Sequence, residues 1–358
     1  MRNTNHAGSY RHHRKGPLRI LKHNIKRKLL RHRWLVPAIL LALIVVGGMS
    51  LWMIQSVRSQ TGHRLSAGAQ YNAGSGYRDI LYRGRKYRYN NRITTILYAG
   101  VDADEPLKPT REFTSAPRAD SISLVALDEL NGRMTIIALN RDTMTGIHKY
   151  TLDGKDRGVF KDHLGYAYTY GEGGAVSCRN LCEAVSNLLF GVPINEYVIS
   201  NRASLPGVAE AIGGVTVVVP NDDLADEGFH QGDTVVIDAD NLEQFVRSRD
   251  IETDLSNVGR MERQKAYING AMDQIRAMLS DRATESWNRL EKAEDSVQTN
   301  ITRSRYLTLT KAVRNTAYSD QDYYVPEGEQ MVGKRHDEFH PDQDALLQKV
   351  IDIFYIEK

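Results

Sequence analysis

The sequence predicts an α/β domain in which a β-sheet is covered by helices on both faces, preceded by one transmembrane helix. Two observations support this prediction. Apolar, β-branched runs of strand length alternate with amphipathic segments of helix length through residues 93–279, which is typical of a layered α/β domain. Near the amino terminus, residues 34–54 form an uncharged run that is long enough to cross a bilayer.

Charge is divided unevenly between the amino-terminal tail and the rest of the chain. Residues 1–33 hold eleven Lys or Arg and no acid, whereas the whole chain has 47 basic and 44 acidic residues. The remainder therefore holds 36 basic against 44 acidic residues, a net charge near −8. A basic arm can bind nucleic acid, but an apolar segment follows this one directly. We therefore expect a basic cytoplasmic tail beside a membrane and no nucleic-acid partner.

The apolar run at residues 34–54 predicts a single-pass membrane anchor. A helix of this length spans about 30 Å, and Trp34 and Trp52 lie near its ends, where indole rings favour the interface. The cations that precede the run place the amino terminus in the cytoplasm and everything after it outside the cell. A cleaved signal peptide is the alternative, but the run is too long and the nearest small-residue site, 67–69, lies far downstream.

The segments that follow are predicted in chain order. Residues 55–91 are rich in Gly, Ser, Arg and Tyr, show little periodicity, and are predicted to be an extracytoplasmic linker. We place the folded domain at residues 92–358. Strands are predicted at 93–101, 121–128, 133–140 and 215–220, and helices at 174–190, 204–212, 239–246 and 261–279. The second and third strands form a hairpin around Asn131-Gly132.

The two cysteines of the chain, Cys178 and Cys182, lie four residues apart in a helical pattern and so on one helix face. A disulfide between successive turns of one helix is geometrically awkward, so we expect buried free thiols. Metal binding by this pair alone is a weaker hypothesis. Their role stays open.

Charged side chains stand at the ends of the predicted hairpin strands. Arg118 and Asp120 come immediately before the first strand, and Arg141 and Asp142 immediately follow the second. In an antiparallel hairpin the start of one strand lies beside the end of its partner, so these side chains should share one open end. Asp102 ends the preceding strand and joins them if that strand neighbours the hairpin.

A second polar group lies downstream. Arg247 and Arg249 follow a predicted helix, and Arg260 and Gln264 lie one helical turn apart. These arginines could simply pair with the surplus acids of the body. Alternatively they form an anion site, because a guanidinium binds two phosphate oxygens at once, while paired carboxylates suit a hard divalent cation. Phosphoryl transfer needs these parts, since its catalysis is mainly positioning and charge neutralisation.

A collinear series of motifs resembles the LytR–CpsA–Psr family of cell-wall glycopolymer transferases. No single motif is specific, but their order and spacing match from about residue 93 to 279. The motifs are Gly100-Val101-Asp102, Arg118-Ala119-Asp120-Ser121, Asn140-Arg141-Asp142-Thr143, Tyr168-Thr169-Tyr170-Gly171, Ile212 to Thr216, Val246-Arg247-Ser248-Arg249, and Gly259-Arg260-Met261-Glu262-Arg263-Gln264.

The resemblance implies an α/β/α sandwich with a central mixed sheet and a hydrophobic pocket for a polyprenyl (undecaprenyl) pyrophosphate lipid. It implies transfer of a glycopolymer, such as teichoic acid or capsular polysaccharide, from that lipid to peptidoglycan. The bond formed would be a phosphodiester, and Mg²⁺ or Mn²⁺ would assist. The enzyme would act at the outer face of the cell membrane.

The resemblance also implies residue roles. Asp102 and Asp120 match the metal-binding aspartates. Arg141 matches the catalytic arginine, and Asp142 would orient it. The implied pyrophosphate-binding set is Arg118, Arg141, Arg247, Arg249, Arg260 and Gln264. One departure is Asn140, which stands where the family commonly has proline and is expected to change backbone stiffness more than chemistry.

Two other functions use the same arginines. One is a regulator that binds the lipid carrier or the wall without turnover, and the other is a pyrophosphatase with water as acceptor. A zinc motif at His336 and His340 is improbable, because the segment between Gly333 and Pro341 does not favour a helix. The sequence leaves open the polymer, the metal, the general base and the oligomeric state.

Overall fold

A six-stranded mixed β-sheet lies at the centre of the described residues. The computed structural model describes residues 69–71, 79–110, 112–249, 256–293, 295–333 and 336–358. The strands are β1 Ala69–Tyr71, β2 Asp79–Tyr82, β3 Arg85–Tyr89, β4 Ile93–Val101, β5 Ala119–Asp128, β6 Arg133–Leu139, β7 Met144–Tyr150, β8 Asp156–His163, β9 Glu196–Asn201, β10 Val215–Val218, β11 Thr234–Ile237, β12 Val297–Thr299, β13 Tyr323–Tyr324, β14 Gly328–Val332, β15 Asp337–Pro341 and β16 Tyr355–Glu357. The helices are α1 Tyr166–Thr169, α2 Ala175–Leu188, α3 Leu205–Ile212, α4 Leu242–Arg247, α5 Asn257–Asp281, α6 Ala283–Lys292, α7 Arg303–Arg314 and α8 Gln343–Phe354.

The strand order of the central sheet is β12-β9-β4-β5-β6-β13. The β4–β5 and β5–β6 pairs are antiparallel, and β9 joins β4 in parallel orientation. The predicted mixed sheet is therefore confirmed. Apolar β-branched runs specify its centre, because both faces of these strands are covered by other elements.

Helices cover both faces of the sheet. On one face, Leu97 and Leu124 lie in a core cluster that also contains residues of α2 and α8. On the other face, Val125 and Val198 pack beside residues of α5 and α7. The alternation of side chains along each strand separates these two clusters. The predicted helix–sheet–helix layering is present.

Two-stranded ribbons flank the sheet. The β7–β8 ribbon contacts α2, and the β14–β15 ribbon lies beside the chain that follows β6. The β10–β11 ribbon forms a separate apolar cluster with α3, α4 and α5, in which Phe245 is fully buried. This cluster fixes the end of α4 against α5 and so determines where the downstream arginines stand.

The predicted linker at 55–91 is wrong at its carboxyl-terminal end, because β2 and β3 form an antiparallel hairpin there. Arg83 and Gly84 both have positive φ values, 48° and 78°, as a tight hairpin turn requires. Ile80 and Tyr82 then pack with Leu347 of α8. The short period-two pattern of aromatic and aliphatic residues is the signal that the linker prediction overlooked.

The predicted cytoplasmic tail at 1–33 and transmembrane segment at 34–54 lie outside the described residues. Within the residues that are described, no helix combines the length and the apolar character needed to cross a membrane.

Candidate active site

Three arginines surround one carboxylate at the start of β5. Arg118 Nε lies 3.2 Å from Asp120 Oδ1, and Arg141 Nη1 donates to the same oxygen. Arg260 Nη1 lies 3.7 Å from Oδ2, and its Nη2 donates to the backbone carbonyl of Asp120 over 3.0 Å. Residues as far apart in the chain as Arg118 and Arg260 therefore meet at one point. They converge at the open end of the hairpin, where the sequence predicted three of these charges, Arg118, Asp120 and Arg141.

Backbone geometry holds two of these arginines in place. The β5–β6 ladder ends at the Ile122–Leu139 pair, so Arg141 lies just past the end of β6, beside the start of β5. Gly165 lies between the two chains: its N–H donates to the Arg141 carbonyl over 2.8 Å, and its carbonyl accepts from Ala119 N–H over 3.0 Å. A Cβ atom at Gly165 would stand 2.6 Å from the Ala119 carbonyl oxygen. Only glycine permits this close approach.

The cluster carries more positive than negative charge. Burial alone would raise the pKa of Asp120, but the Arg141, Arg260 and Arg118 guanidiniums outweigh it and hold that pKa below its usual value. Burial and the like charge of Arg141 lower the pKa of both Arg249 and Arg260. Among the described residues, the acids that oppose this lowering are Asp120 and Asp142. Within that part of the chain, the four arginines Arg118, Arg141, Arg249 and Arg260 therefore outnumber the acids around them by two, which favours an anionic ligand.

Donor groups in the cluster lack partners. The side chains of Arg141 and Arg260 are each only 4% exposed. Among the described residues, the Nε–H of each is buried without a hydrogen bond. Asp142 Oδ1 lies 3.4 Å from Arg141 Nε, an ion-pair distance without hydrogen-bond geometry. Buried donors of this kind are costly, which is an arrangement suited to an anionic ligand.

Asp102 and Arg247 form a second ion pair that flanks the cluster. Arg247 Nη2 lies 2.5 Å from Asp102 Oδ1, and its Nη1 donates to Glu243 over 3.1 Å. The Asp102 side chain is 51% exposed, so this pair lies near the surface. The Asp102 N–H donates to the Arg118 carbonyl over 3.0 Å, which fixes β4 beside the main cluster. The predicted neighbourhood of these strand ends is therefore present.

Gln264 points away from the cluster, and the adjacent Arg263 does the same. Gln264 Nε2 donates to the Val246 carbonyl over 3.0 Å. Arg263 Nε donates to the Phe245 carbonyl over 2.9 Å, and its Nη2 donates to the Ser248 carbonyl. These carbonyls belong to the end of α4, where backbone carbonyls have no N–H partner within the helix. The two side chains therefore cap α4 and hold the backbone from which Arg247 and Arg249 extend. The motif spacing singled out Gln264 but overlooked Arg263.

Tyr166 is a further residue at the site that sequence reasoning missed. The Arg118 guanidinium lies over its ring, 5.6 Å from the ring centre. The His163 ring meets Tyr166 edge-on at 5.6 Å. Tyr166 therefore orients Arg118 through a cation–π contact. An aromatic residue in a short helix such as α1 gives no sequence signal of this role.

One face of the sheet stays partly open next to the cluster. Tyr98, in the middle of the central strand β4, is 36% exposed, and its hydroxyl lies 3.2 Å from Ser200 Oγ. Ile96 and Val125 are only partly buried on the same face, under α5. A separate cavity of about 580 Å³ lies at the β12 edge, between α2 and α6. Its lining includes Cys178 and Trp287 but none of the clustered arginines.

The structure also describes the two cysteines and His340 of the zinc motif considered above. Both cysteines are free thiols, as predicted; Cys178 is buried and Cys182 is half-buried, and burial raises the pKa of each to about 12. His340 lies in β15, not in a helix, which agrees with setting the zinc motif aside. Among the described residues, no group of three or more His, Cys, Asp or Glu could hold a metal ion.

Comparison with known proteins identifies the family of this chain. The LytR_cpsA_psr family model matches residues 65–348. The chain belongs to the LytR_cpsA_psr family. The matched span includes β2, β3 and the β14–β15 ribbon, so the family domain extends beyond the motif-bearing residues 93–279 at both ends.

Individual family members are related to this chain at modest identity. It is 26% identical over 212 residues to the Bacillus cereus polyisoprenyl-teichoic acid–peptidoglycan teichoic acid transferase TagU, covering 58% of this chain and 63% of TagU. It is 25% identical over 297 residues to the Bacillus subtilis transferase TagV, covering 79% of this chain and 67% of TagV. The matched region thus spans less than two thirds of TagU.

Solved structures show the same fold. The crystal structure of B. subtilis TagV aligns with a TM-score of 0.54 at 22% identity, covering 74% of this chain and 98% of that one. A structure described as TagT bound to LIIa-WTA aligns with a TM-score of 0.54 at 18% identity, covering 74% and 90%. The α/β architecture of this LytR_cpsA_psr protein is therefore that of its family.

Proposed function

We propose that this protein is a phosphotransferase that moves a glycopolymer from a polyprenyl pyrophosphate carrier to peptidoglycan through a phosphodiester bond. The proposal includes a membrane anchor at residues 34–54 and a domain outside the cell. The relatives TagU and TagV are named as teichoic acid transferases acting on peptidoglycan, which supports this substrate class. A teichoic acid or a capsular polysaccharide is the cargo that this class implies.

The observation that carries the proposal is the surplus of buried positive charge around Asp120. Four arginines face two aspartates there, and two guanidinium Nε–H groups are buried without hydrogen bonds among the described residues. A pyrophosphate diester carries two negative charges and many acceptor oxygens. Such a ligand would neutralise the surplus and give these donors partners.

The transfer step follows from this arrangement. A sugar hydroxyl of peptidoglycan attacks the phosphorus that bears the glycopolymer, and the P–O bond to the lipid phosphate breaks. The hydroxyl proton is released, and polyprenyl phosphate departs with the bonding electrons. Arg141, held by Asp120 and by the Gly165 backbone, stabilises the negative charge that develops on the transferring phosphate. Asp142 keeps that guanidinium in orientation, and Arg118, Arg249 and Arg260 hold the pyrophosphate.

The two aspartates at the strand ends fit Mg²⁺ or Mn²⁺. Asp120 stays ionised because arginines surround it, and Asp102 is half exposed at the neighbouring strand end. Magnesium is commonly bound by one or two carboxylates, with phosphate oxygens and waters completing its coordination. Both aspartates now pair with arginines, and those arginines could turn to phosphate oxygens when an ion is bound. The ion would supply additional neutralisation of phosphate charge.

The partly open sheet face beside Tyr98 is the place we propose for the isoprenoid chain. This face begins next to Ser121, the residue after Asp120, and continues over Ile96 and Val125. Burial of apolar chain there would remove both surfaces from water. The cavity at the β12 edge is less suitable, because it shares no lining residue with the arginine cluster.

Substitution of Arg141 by alanine tests the function. Transfer of a lipid-linked glycopolymer to peptidoglycan should require a divalent cation and fall at least about a thousandfold in Arg141→Ala, because a group that stabilises developing charge is lost. Carrier binding should weaken less than about tenfold, since three other arginines remain. Transfer is measured with radiolabelled polymer on insoluble peptidoglycan.

The control variant is Arg289→Ala, which removes an exposed arginine that pairs with Glu285 among the described residues. It should transfer at the wild-type rate. Polymer released into water without peptidoglycan attachment would identify a pyrophosphatase instead. Binding without any turnover would identify a carrier-binding regulator, and full transfer by Arg141→Ala would remove the role assigned to Arg141.

A further inference from the structure

A buried network of side-chain amides lies directly behind the arginine cluster. Asn140 and Asn257 are 5% and 2% exposed, and they come from the end of β6 and the start of α5. Asn257 Nδ2 donates to Asn140 Oδ1 over 2.7 Å, and Asn140 Nδ2 donates to Gln330 Oε1 of β14 over 2.9 Å. Three distant parts of the chain are therefore joined through amide groups at the back of the site.

The orientations of the Asn140 and Asn257 amides are fixed by neighbouring groups that can only donate a hydrogen bond. The backbone N–H of Asp142 points at Asn140 over 2.9 Å, so the atom it meets must be the amide oxygen. At the other end, Arg260 Nη2 meets Asn257 over 2.6 Å, so that atom must also be an oxygen. The two remaining amide nitrogens then face oxygens. Every bond in the network is consistent with a single assignment of the amides.

Asn140 shapes the turn that carries the catalytic pair. Its side-chain oxygen accepts from the N–H two residues later, which is the geometry of an Asx turn. Its backbone carbonyl accepts from both the N–H and the hydroxyl of Thr143, over 3.0 Å and 2.6 Å. These bonds hold Arg141 and Asp142 in one conformation. The expectation that residue 140 affects stiffness more than chemistry overlooked this side chain, since its amide carries three hydrogen bonds.

Asn257 connects the turn at Asn140 to Arg260, the second buried arginine of the cluster. Its Nδ2 lies 3.2 Å from Asp142 Oδ2 as well as bonding Asn140, and its Oδ1 binds Arg260. The positions of Asp142 and Arg260 are thereby linked through one amide.

The β14–β15 ribbon joins the same turn twice. Gln330 and Phe339 are cross-strand partners in this ribbon. Gln330 binds the Asn140 side chain, and Phe339 N–H donates to the Asp142 carbonyl over 2.9 Å. Among the described residues, Gln330 Nε2 is buried without a partner. A buried donor without a partner is costly, so the bonds around Gln330 must outweigh that cost to hold it here.

We infer that the side-chain amide of Asn140 is a positioning group, which aligns the Arg141–Asp142 turn with α5 on one side and with the β14–β15 ribbon on the other. This inference rests on the proposed function for its effect on rate. Loss of the amide would leave several buried donors and acceptors unpaired, and the turn would shift to satisfy them. A shift of about 1 Å at a catalytic group is enough to slow a reaction about a hundredfold.

The test compares Asn140→Ala and Asn257→Ala with wild type in the full-length protein. Each should lower kcat for transfer by about tenfold to a hundredfold, while the Kd for the carrier changes less than about threefold. The Nε–H NMR signals of Arg141 and Arg260 should shift in both variants. The double variant should be no slower than the slower single variant, because both remove one network.

Two further variants separate positioning from general loss of stability. Asn180→Ala removes another buried asparagine, which donates to the Tyr170 carbonyl of a different element, so it should leave the arginine signals and kcat unchanged. Asn140→Asp keeps the acceptor oxygen, and the free Gln330 amide can turn to donate to the new carboxylate. It should restore the arginine signals and at least about a tenth of the wild-type kcat.

The outcomes are distinguishable from failure of the proposed function. If wild type transfers no polymer, the proposed function fails, but the arginine NMR signals still test the network. If Asn140→Ala leaves these signals and kcat within about twofold of wild type, the positioning role is overturned. The same conclusion follows if Asn180→Ala has equal effects.

Discussion

Arg263 has the largest volume of the fully buried side chains among the described residues, and its exposure is 0%. Its guanidinium binds two carbonyls at the end of α4 and also Asn221 Oδ1 and Asp223 Oδ2, over 3.1 Å and 2.9 Å. Asp223 is 40% exposed, so the ion pair itself is partly solvated. The structural contribution of Arg263 therefore comes mainly from its bonds to carbonyls that would otherwise lack partners.

Replacement of Arg263 by methionine should destabilise the fold. The change keeps most of the apolar stem but leaves the Phe245 and Ser248 carbonyls unpaired, so we expect a loss of about 3 kcal/mol in the free energy of unfolding. Urea denaturation measures this loss. Arg276→Met, on the same helix but 24% exposed, is the control and should cost less than about 1 kcal/mol. An equal loss in both variants would contradict the capping role.

The site residues could be predicted from the sequence where a charged side chain stands at the end of a strand. Arg118, Asp120 and Arg141 stand at strand ends, and the antiparallel rule alone places them together. The amide network could not be predicted in the same way. Asn140 is 117 residues from Asn257 and 190 from Gln330, and an uncharged amide gives neither periodicity nor a motif. Contacts of this kind depend on the packing of whole elements, which the local sequence does not encode.

The β7–β8 ribbon is attached to α2 through a histidine. His148 Nε2 lies 3.1 Å from Glu183 on α2, and its Nδ1 lies 3.4 Å from Asp156 on β8. The hydrogen bond with Glu183, aided by Asp156 and opposed by burial, raises the pKa of His148 to about 9. The imidazolium form therefore joins ribbon and helix at neutral pH.

This attachment predicts a pH-dependent stability. The pKa of His148 is higher in the folded protein than the ordinary value of 6.5, so its stabilisation is complete below pH 6.5 and lost as pH rises through about 9. At about pH 6, His148→Gln should be about 1–2 kcal/mol less stable than wild type, a figure reduced for solvent screening. Near pH 10 the two proteins should converge. Chemical denaturation across this range measures the difference.

Substitution of another histidine provides the comparison. His230 is exposed, so His230→Gln should track the wild-type curve at every pH. A stability difference for His148→Gln that does not change with pH would show that packing, not charge, joins the ribbon to α2.

Elements differed in how well their sequence specified them. Strands β4 to β6 followed from long apolar, β-branched runs, and their observed bounds agree within two residues. The ribbon β14–β15 was not predicted, because Gly328–Val332 and Asp337–Pro341 are short and largely polar. Such strands form because they pair with one another and dock on a preformed turn, and local propensity contributes little.

At the scale of the whole molecule, the positive cluster is set in an acidic body. The chain after residue 33 has a net charge near −8, yet within the described residues arginines outnumber acids around Asp120. Burial, and then the repulsion of Arg141, lower the pKa of Arg249 and Arg260, so holding these guanidiniums charged together lowers the stability of the unliganded fold. An anion that binds there should relieve this repulsion.

Inorganic pyrophosphate should therefore stabilise the protein against heat. At a concentration about a hundredfold above its Kd, linkage predicts a gain of about 2.7 kcal/mol, which differential scanning calorimetry would detect as a higher Tm. Arg260→Gln should lose most of this gain, whereas Arg289→Gln, an exposed change in α6 where the arginine pairs with Glu285, should retain it. Equal stabilisation of both variants would indicate non-specific anion binding. The effect should weaken as ionic strength rises.

Asp120 pairs with three arginines, and this pairing bears on how an anion would bind and leave. The carboxylate is a counter-ion that belongs to the protein itself. It pairs with the three guanidiniums when no anion is bound and reduces the repulsion among them. A diphosphate that binds as proposed would compete with this internal anion, which would lower its affinity. In the proposed transfer, the same competition would favour release of the lipid phosphate, because Asp120 would pair with the arginines again.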